Sequence, residues 1–238
     1  MTKNVLGFRF ILIFFIATLA LVQCTTSKKD ISRPTDSDLL HFQVSEAVKQ
    51  SDYFGIWDSI MPKKGILAPD FTIHSVEGDI FNLSEQLKKG RPILLVNGSY
   101  TCDLSRRSLP KIDALYQKYG SKIDIFIIYT MEAHPMNHPS PYSRENSIWI
   151  RSENLRDSIA AKKPETYGER KTLSRQWKEK FKIQPKILLD NPENDYWTLY
   201  GQAPNMVYLI NSEGIIIERQ INFHRKKIED KMKDLLKM

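Results

Sequence analysis

The chain has two cysteines, and Cys102 lies in a stretch whose residue types could carry chemistry, "ILLVNGSYTCDLSRRSLP" over 93–110. An apolar run ends in a small polar bend, the cysteine follows, and helical spacing begins after it. A thiol at a helix N-terminus faces unpaired backbone N–H groups and the positive end of the helix dipole. Both favour the thiolate, which is the reactive form. Arg106, one turn on, and its neighbour Arg107 would add favourable charge, and Asp103 would oppose them. The expectation is a net-activated thiol; the competing reading is a small buried packing residue.

Cys102-Asp103-Leu104-Ser105 is a one-cysteine version of a redox pair, with Ser105 where a second thiol would stand. It cannot close its own disulfide, so turnover needs an external thiol. A second cluster lies in "IIYTMEAHP", where Tyr129, Glu132 and His134 follow an apolar run that reads as a buried strand. Open α/β sheets place ligand sites at that edge, and a histidine two residues from a carboxylate can relay a proton. His138 is near in sequence, but no set of three or four ligands converges, so no metal is expected.

The elements that must position these residues read as follows. "FTIHS" and "IFNLS" form a hairpin turning at Glu77–Asp79, and Ser84 caps a short helix ending at Gly90. "PILLVNGS" and "KIDIFIIYT" are strands buried on both faces. Pro110 kinks the helix after Cys102. A His- and Pro-rich loop fills 132–150, helical spacing returns in "ENLRDSIAAKK" and "ERKTLSRQWKEKF", and "PKILLD" is a third strand. A short helix, a hairpin turning at 212–214 and a basic C-terminal helix complete the chain. This order predicts an α/β fold with a mixed central sheet and helices on both faces. A cysteine at the first strand-to-helix junction and Pro204 opening the last hairpin point to the thioredoxin class, which keeps a cis-proline facing its cysteine.

The N-terminus has Lys3 and Arg9 ahead of the 13-residue apolar run "FILIFFIATLALV", then Cys24. That pattern fits an export signal better than a spanning helix. Cys24, one residue past the run, points to lipidation there, with an uncleaved anchor helix as the competitor. The organisation expected is therefore a signal or anchor over 1–24, a linker and helical extension over 25–62, and the main domain over 63–238. The chain would be exported and membrane-tethered, at a bacterial cell envelope. A net charge of +7, from 35 basic and 28 acidic residues, is spread along the chain without an aromatic-basic constellation, which argues against nucleic acid.

With these motifs in order, the sequence resembles the iodothyronine deiodinases. "NGSYTC" resembles the segment leading into that family's catalytic selenocysteine, and "YTMEAHP" matches its Tyr-x-x-Glu-x-His element. "LLDNPENDYWTLYG" and "YGQAPNMVYLINSEGII" resemble its later segments, so the likeness covers about 67–220. The resemblance implies a thioredoxin-fold reductive dehalogenase in which Cys102 is the nucleophile. Tyr129, Glu132 and His134 would form the proton-transfer network, and Thr101, Ser105, Arg106 and Pro204 would support the site. No cofactor is implied beyond an external thiol or thioredoxin-like reductant, and the substrate would be a small halogenated or oxidised molecule. Two departures stand out: Met206 replaces an arginine that helps hold the thyronine, and 153–175 contain no histidine. The other functions the residues allow are a one-cysteine thiol peroxidase or thiol-disulfide oxidoreductase, and a non-catalytic binding lipoprotein. Peroxiredoxins fit less well, because Ser99 stands where they place a threonine.

Overall fold

The computed structural model describes residues 33–42, 44 and 55–238. One compact unit runs from Ser32 to Met238, and a second, Met1–Ile31, lies outside the described residues together with Cys24 and the expected signal. Among the described residues no helix is long and apolar enough to cross a membrane.

Apolar runs without alternation place two strands at the centre of the sheet: β3 (Ile93–Gly98) is buried throughout, and β4 (Asp124–Tyr129) is buried after its first residue. They pair in parallel, and β4 pairs in parallel with β5 (Lys186–Leu189). The hairpin of β1 (Thr72–Ser75) and β2 (Ile80–Asn82) adds to β5, and that of β6 (Val207–Ile210) and β7 (Ile216–Gln220) adds to β3. The resulting order, β2-β1-β5-β4-β3-β6-β7, is the mixed sheet the sequence implies.

Side chains of successive strand residues face opposite sides, which builds two cores. Ile93, Leu95 and Ile128 join a cluster on one face; Leu94, Val96 and Ile127 join another. The helices are α1 (Gly55–Ile60), α2 (Leu83–Leu87), α3 (Asp103–Tyr119), α4 (Ser152–Arg156), α5 (Tyr167–Phe181), α6 (Asp195–Tyr200) and α7 (Arg225–Leu236).

Three local expectations are corrected. Residues 33–42 are not helical. The Asp38 carboxylate accepts the Thr35 N–H and hydroxyl, and Leu39 bridges to Thr166, so side-chain bonding displaces the helical pattern. Helix in the described part of the extension is confined to α1, where Trp57 is buried against the main core. Asn82, not Ser84, caps α2, its side chain accepting the Glu85 N–H at 2.8 Å. The helix expected through 153–163 stops at Arg156, where Ser158 turns left-handed and the Ile159 N–H bonds back to Asn154. The helix after Cys102, α3, runs as one element with Pro110 inside it.

Candidate active site

The parallel register of β3 and β4 aligns Gly98 with Tyr129, so both strands release their chains side by side at one sheet edge. Gly98 is required there: a Cβ would lie 2.6 Å from the Trp177 ring and 3.1 Å from Ser105 Oγ. After β3 the chain turns, with the Cys102 N–H donating to the Ser99 carbonyl at 3.3 Å, and Cys102 becomes the N-cap residue of α3.

Two sets of buried side chains hold this turn. Glu132 takes its donors: Oε2 accepts the Thr101 N–H at 2.8 Å and the Thr101 hydroxyl at 2.5 Å, and Oε1 accepts the Tyr100 N–H at 3.3 Å and the Tyr129 hydroxyl. Arg106 and Asn154 take its acceptors. Arg106 donates to the Tyr100 carbonyl at 3.0 Å and to Asn154 Oδ1 at 2.7 Å, and Asn154 Nδ2 donates to the Thr101 carbonyl at 2.9 Å. The expectation that Arg106 supplies charge directly to the thiol is corrected accordingly. Its guanidinium is spent on the Tyr100 carbonyl, Asn154 and, at 3.5 Å, Asp157.

Cys102 is 1% exposed. Burial raises its thiol pKa and outweighs the opposing pull of the Ser105 hydroxyl and the Ser105 and Leu104 N–H groups, with Asp103 reinforcing the rise. The sulfur makes no capping hydrogen bond, although these donors lie close enough to act on it. The expected net activation is therefore corrected: the resting group is a thiol, because desolvation exceeds the helix-end effect.

His134 belongs to a different group from Glu132. Its backbone N–H donates to the Thr101 hydroxyl at 3.0 Å, but its imidazole contacts the Trp149 carbonyl through Nδ1 at 3.0 Å. Because a carbonyl only accepts, we assign the proton to Nδ1, leaving Nε2 as a lone-pair acceptor. Nε2 lies 3.8 Å from Asp103 Oδ1. Burial pulls the His134 pKa down to about 4, so the ring is neutral at ordinary pH. Tyr129 is pushed well above the usual phenol range by burial and by Glu132, and remains a donor. Among the described residues no hydrogen bond joins the His134 ring to Glu132 or Tyr129. The three residues of the expected relay thus divide into a clamp, Tyr129–Glu132–Thr101, and a separate base.

That base and the thiol line one cavity of about 500 Å³. Pro204 is part of the same wall. No peptide bond among the described residues is cis, so the Ala203–Pro204 bond is trans, which corrects the expected cis-proline. Asn205 Nδ2 donates to Ser105 Oγ at 3.4 Å. Met206 is wholly buried in the core and does not line the cavity.

Sequence reasoning missed several lining residues. Trp57 comes from α1, and Trp149 and Arg151 come from the end of the long loop. The Arg151 guanidinium lies over the Trp149 ring at 5.7 Å and approaches Asp103 at 3.6 Å. A signal existed in "YSRENSIWIR", where two aromatics and two cations fall within ten residues of a His- and Pro-rich loop. Asn154 left no such signal. Among the described residues no cluster of ligands could hold a metal ion.

The sequence pattern of the iodothyronine deiodinases matches residues 4–227. The chain belongs to this family. It is accordingly an oxidoreductase of the deiodinase and redoxin type. Its fold is thioredoxin-like: a Chlorobium tepidum protein assigned as thiol:disulfide interchange protein DsbE aligns over 73% of this chain and 98% of its own, at 16% identity and a TM-score of 0.50. A Bacteroides thetaiotaomicron protein assigned as a disulfide isomerase aligns over 74% and 91%, at 18% identity and a TM-score of 0.51.

Proposed function

We propose that this deiodinase-family protein carries out thiol-dependent reductive dehalogenation of an aryl halide with Cys102 as its single redox centre. The observation that carries this reading is that the Cys102 thiol and the neutral His134 ring line one cavity walled by Trp57, Tyr142 and Trp149. His134 Nε2 takes the proton of the Cys102 thiol, and Asp103, 3.8 Å from that nitrogen, stabilises the imidazolium formed. The thiolate attacks the halogen: an S–halogen bond forms, the carbon–halogen bond breaks, and its electron pair stays on carbon. The proton held by His134 is then delivered to that carbon. An external thiol displaces halide from Cys102, giving a mixed disulfide, and a second one releases the Cys102 thiol. The net change is aryl halide plus two thiols to arene, disulfide, halide and a proton.

Met206 lies in the core, so the position to which the family resemblance assigns an arginine does not reach the cavity. We therefore place the substrate among halogenated phenols and related aryl halides, without commitment to thyronines. The apolar N-terminal run and Cys24 support an exported, membrane-tethered setting.

The test is iodide release from an iodinated phenol in the presence of excess thiol. Cys102→Ser should abolish it in a folded protein, and retained release would sink the proposal. Hydrogen peroxide offered in parallel distinguishes a one-cysteine peroxidase, which would consume peroxide faster than the iodophenol.

A further inference from the structure

Resting on the reading of Cys102 as the reacting thiol, we propose that Asn205 is a positioning residue for it: its amide turns the Ser105 hydroxyl proton toward the sulfur, ready to meet the charge that forms there on ionisation. The pairing of β3 with β6 brings Asn205 to this place, since Val207, two residues on, lies opposite Val96. Asn205 and Ser105 are both buried and neither lines the cavity, so the role involves no contact with substrate.

The amide can face only one way. Nδ2 lies 2.9 Å from the Asn97 carbonyl, which only accepts, and Oδ1 lies 3.3 Å from the Phe223 backbone nitrogen, which only donates. A flipped amide would set like against like at both contacts. Nδ2 is therefore also the atom that faces Ser105 Oγ at 3.4 Å, and the serine oxygen accepts. Its own proton has to go elsewhere. A helical serine commonly returns it to a carbonyl three or four residues back, as Ser108 does to Leu104 at 2.8 Å. For Ser105 those carbonyls belong to Cys102 and Thr101, and they accept the Arg106 N–H at 3.2 Å and Asn154 Nδ2 at 2.9 Å instead. Cys102 is the N-cap residue of α3 and Ser105 the third residue of its first turn, the spacing at which a cap side chain meets the N3 residue. The sulfur is the acceptor this geometry leaves to the hydroxyl. Burial dominates the state of the thiol, and the Ser105 hydroxyl is the strongest of the influences opposing it. A donor oriented in advance costs no reorganisation when the charge appears.

The experiment follows iodoacetamide alkylation of Cys102 in the full chain across pH, by peptide mass, which separates it from Cys24. Below the midpoint the rate tracks the thiolate fraction. A hydrogen bond to a charged group is equivalent to about one pH unit, so Ser105→Ala should slow alkylation about tenfold there. Asn205→Ala should slow it severalfold. In the Ser105→Ala background it should slow it no further, because the hydroxyl it directs is gone. Asn205→Leu takes its place if the smaller side chain leaves the protein unfolded. Both losses should shrink above the midpoint, where the thiol ionises regardless. An Asn205 effect that persists in full without the Ser105 hydroxyl, or that is equal at every pH, would mark a packing role and overturn the proposal. So would an unchanged rate in Ser105→Ala, which needs no substitution at 205. Iodide release from an iodophenol is measured alongside. Release that survives Cys102→Ser counts against the reading of the thiol, whereas the alkylation rates count for or against the role of Asn205.

Discussion

Glu132 Oε2 accepts both the backbone N–H and the hydroxyl of Thr101, at 2.8 and 2.5 Å, so a carboxylate just past β4 holds the residue preceding Cys102. With the Tyr100 N–H and Tyr129 hydroxyl, four donors converge on two oxygens in a site closed to solvent. The Thr101 hydroxyl in turn accepts the His134 N–H, so this one contact fixes the backbone of both the thiol and the base.

Glu132→Gln replaces one acceptor oxygen by an amide facing donors. Unmet buried donors cost roughly 1–3 kcal/mol each, and in a domain of this size the melting temperature should fall by roughly 5–10 °C. Thermal unfolding by circular dichroism decides the matter, and an unchanged midpoint contradicts the clamp.

Asn154→Ala leaves the Thr101 carbonyl without its side-chain donor and removes a partner of Arg106. The peptide plane between Thr101 and Cys102 loses its restraint, and the sulfur drifts from the Ser105 and Leu104 N–H groups that favour its ionised form. The pH midpoint of Cys102 alkylation should rise, while Leu155→Ala, at an exposed position of the same short helix, should leave it in place. Equal midpoints in a folded Asn154→Ala protein would exclude this role.

Burial places the Cys102 thiol above its ordinary range, and the carboxylate next to it adds to the effect. In the absence of substrate, alkylation by iodoacetamide should therefore still be climbing beyond the ~8.5 of a free thiol. A plateau reached below that value would show that the helix end outweighs desolvation after all.

His134 has a folded-state pKa of about 4, below its ordinary 6.5. As pH falls through that interval the unfolded chain takes up the proton first, so the stability linked to the neutral ring is present above about 6.5 and lost toward 4. The full effect is on the order of 3 kcal/mol. Asp190 acts in the opposite sense. Its pKa, raised to about 6 by burial, makes it stabilising as pH drops through the same region. That contribution is common to the protein and to His134→Gln, so it cancels in their difference. Urea unfolding of both from pH 7 to 4 should show the gap between them narrowing on acidification; a constant gap is the outcome that refutes the assignment.

Local periodicity determined much of this protein. The unbroken apolar runs of β3 and β4 have to be buried on both faces, which compels a sheet with helices on each side. The same runs fix Cys102 and the Tyr129–His134 segment at one edge, because parallel neighbours end together. Spacing along the chain could not determine which groups meet. Tertiary packing alone brought Trp57 from before the sheet, and Trp149 and Arg151 from a long loop, to the thiol, and set Asn154 against Thr101. It also reversed the expected charge state of Cys102. A sequence shows the helix end that favours a thiolate, but desolvation depends on everything packed around the sulfur, and here it is the larger effect.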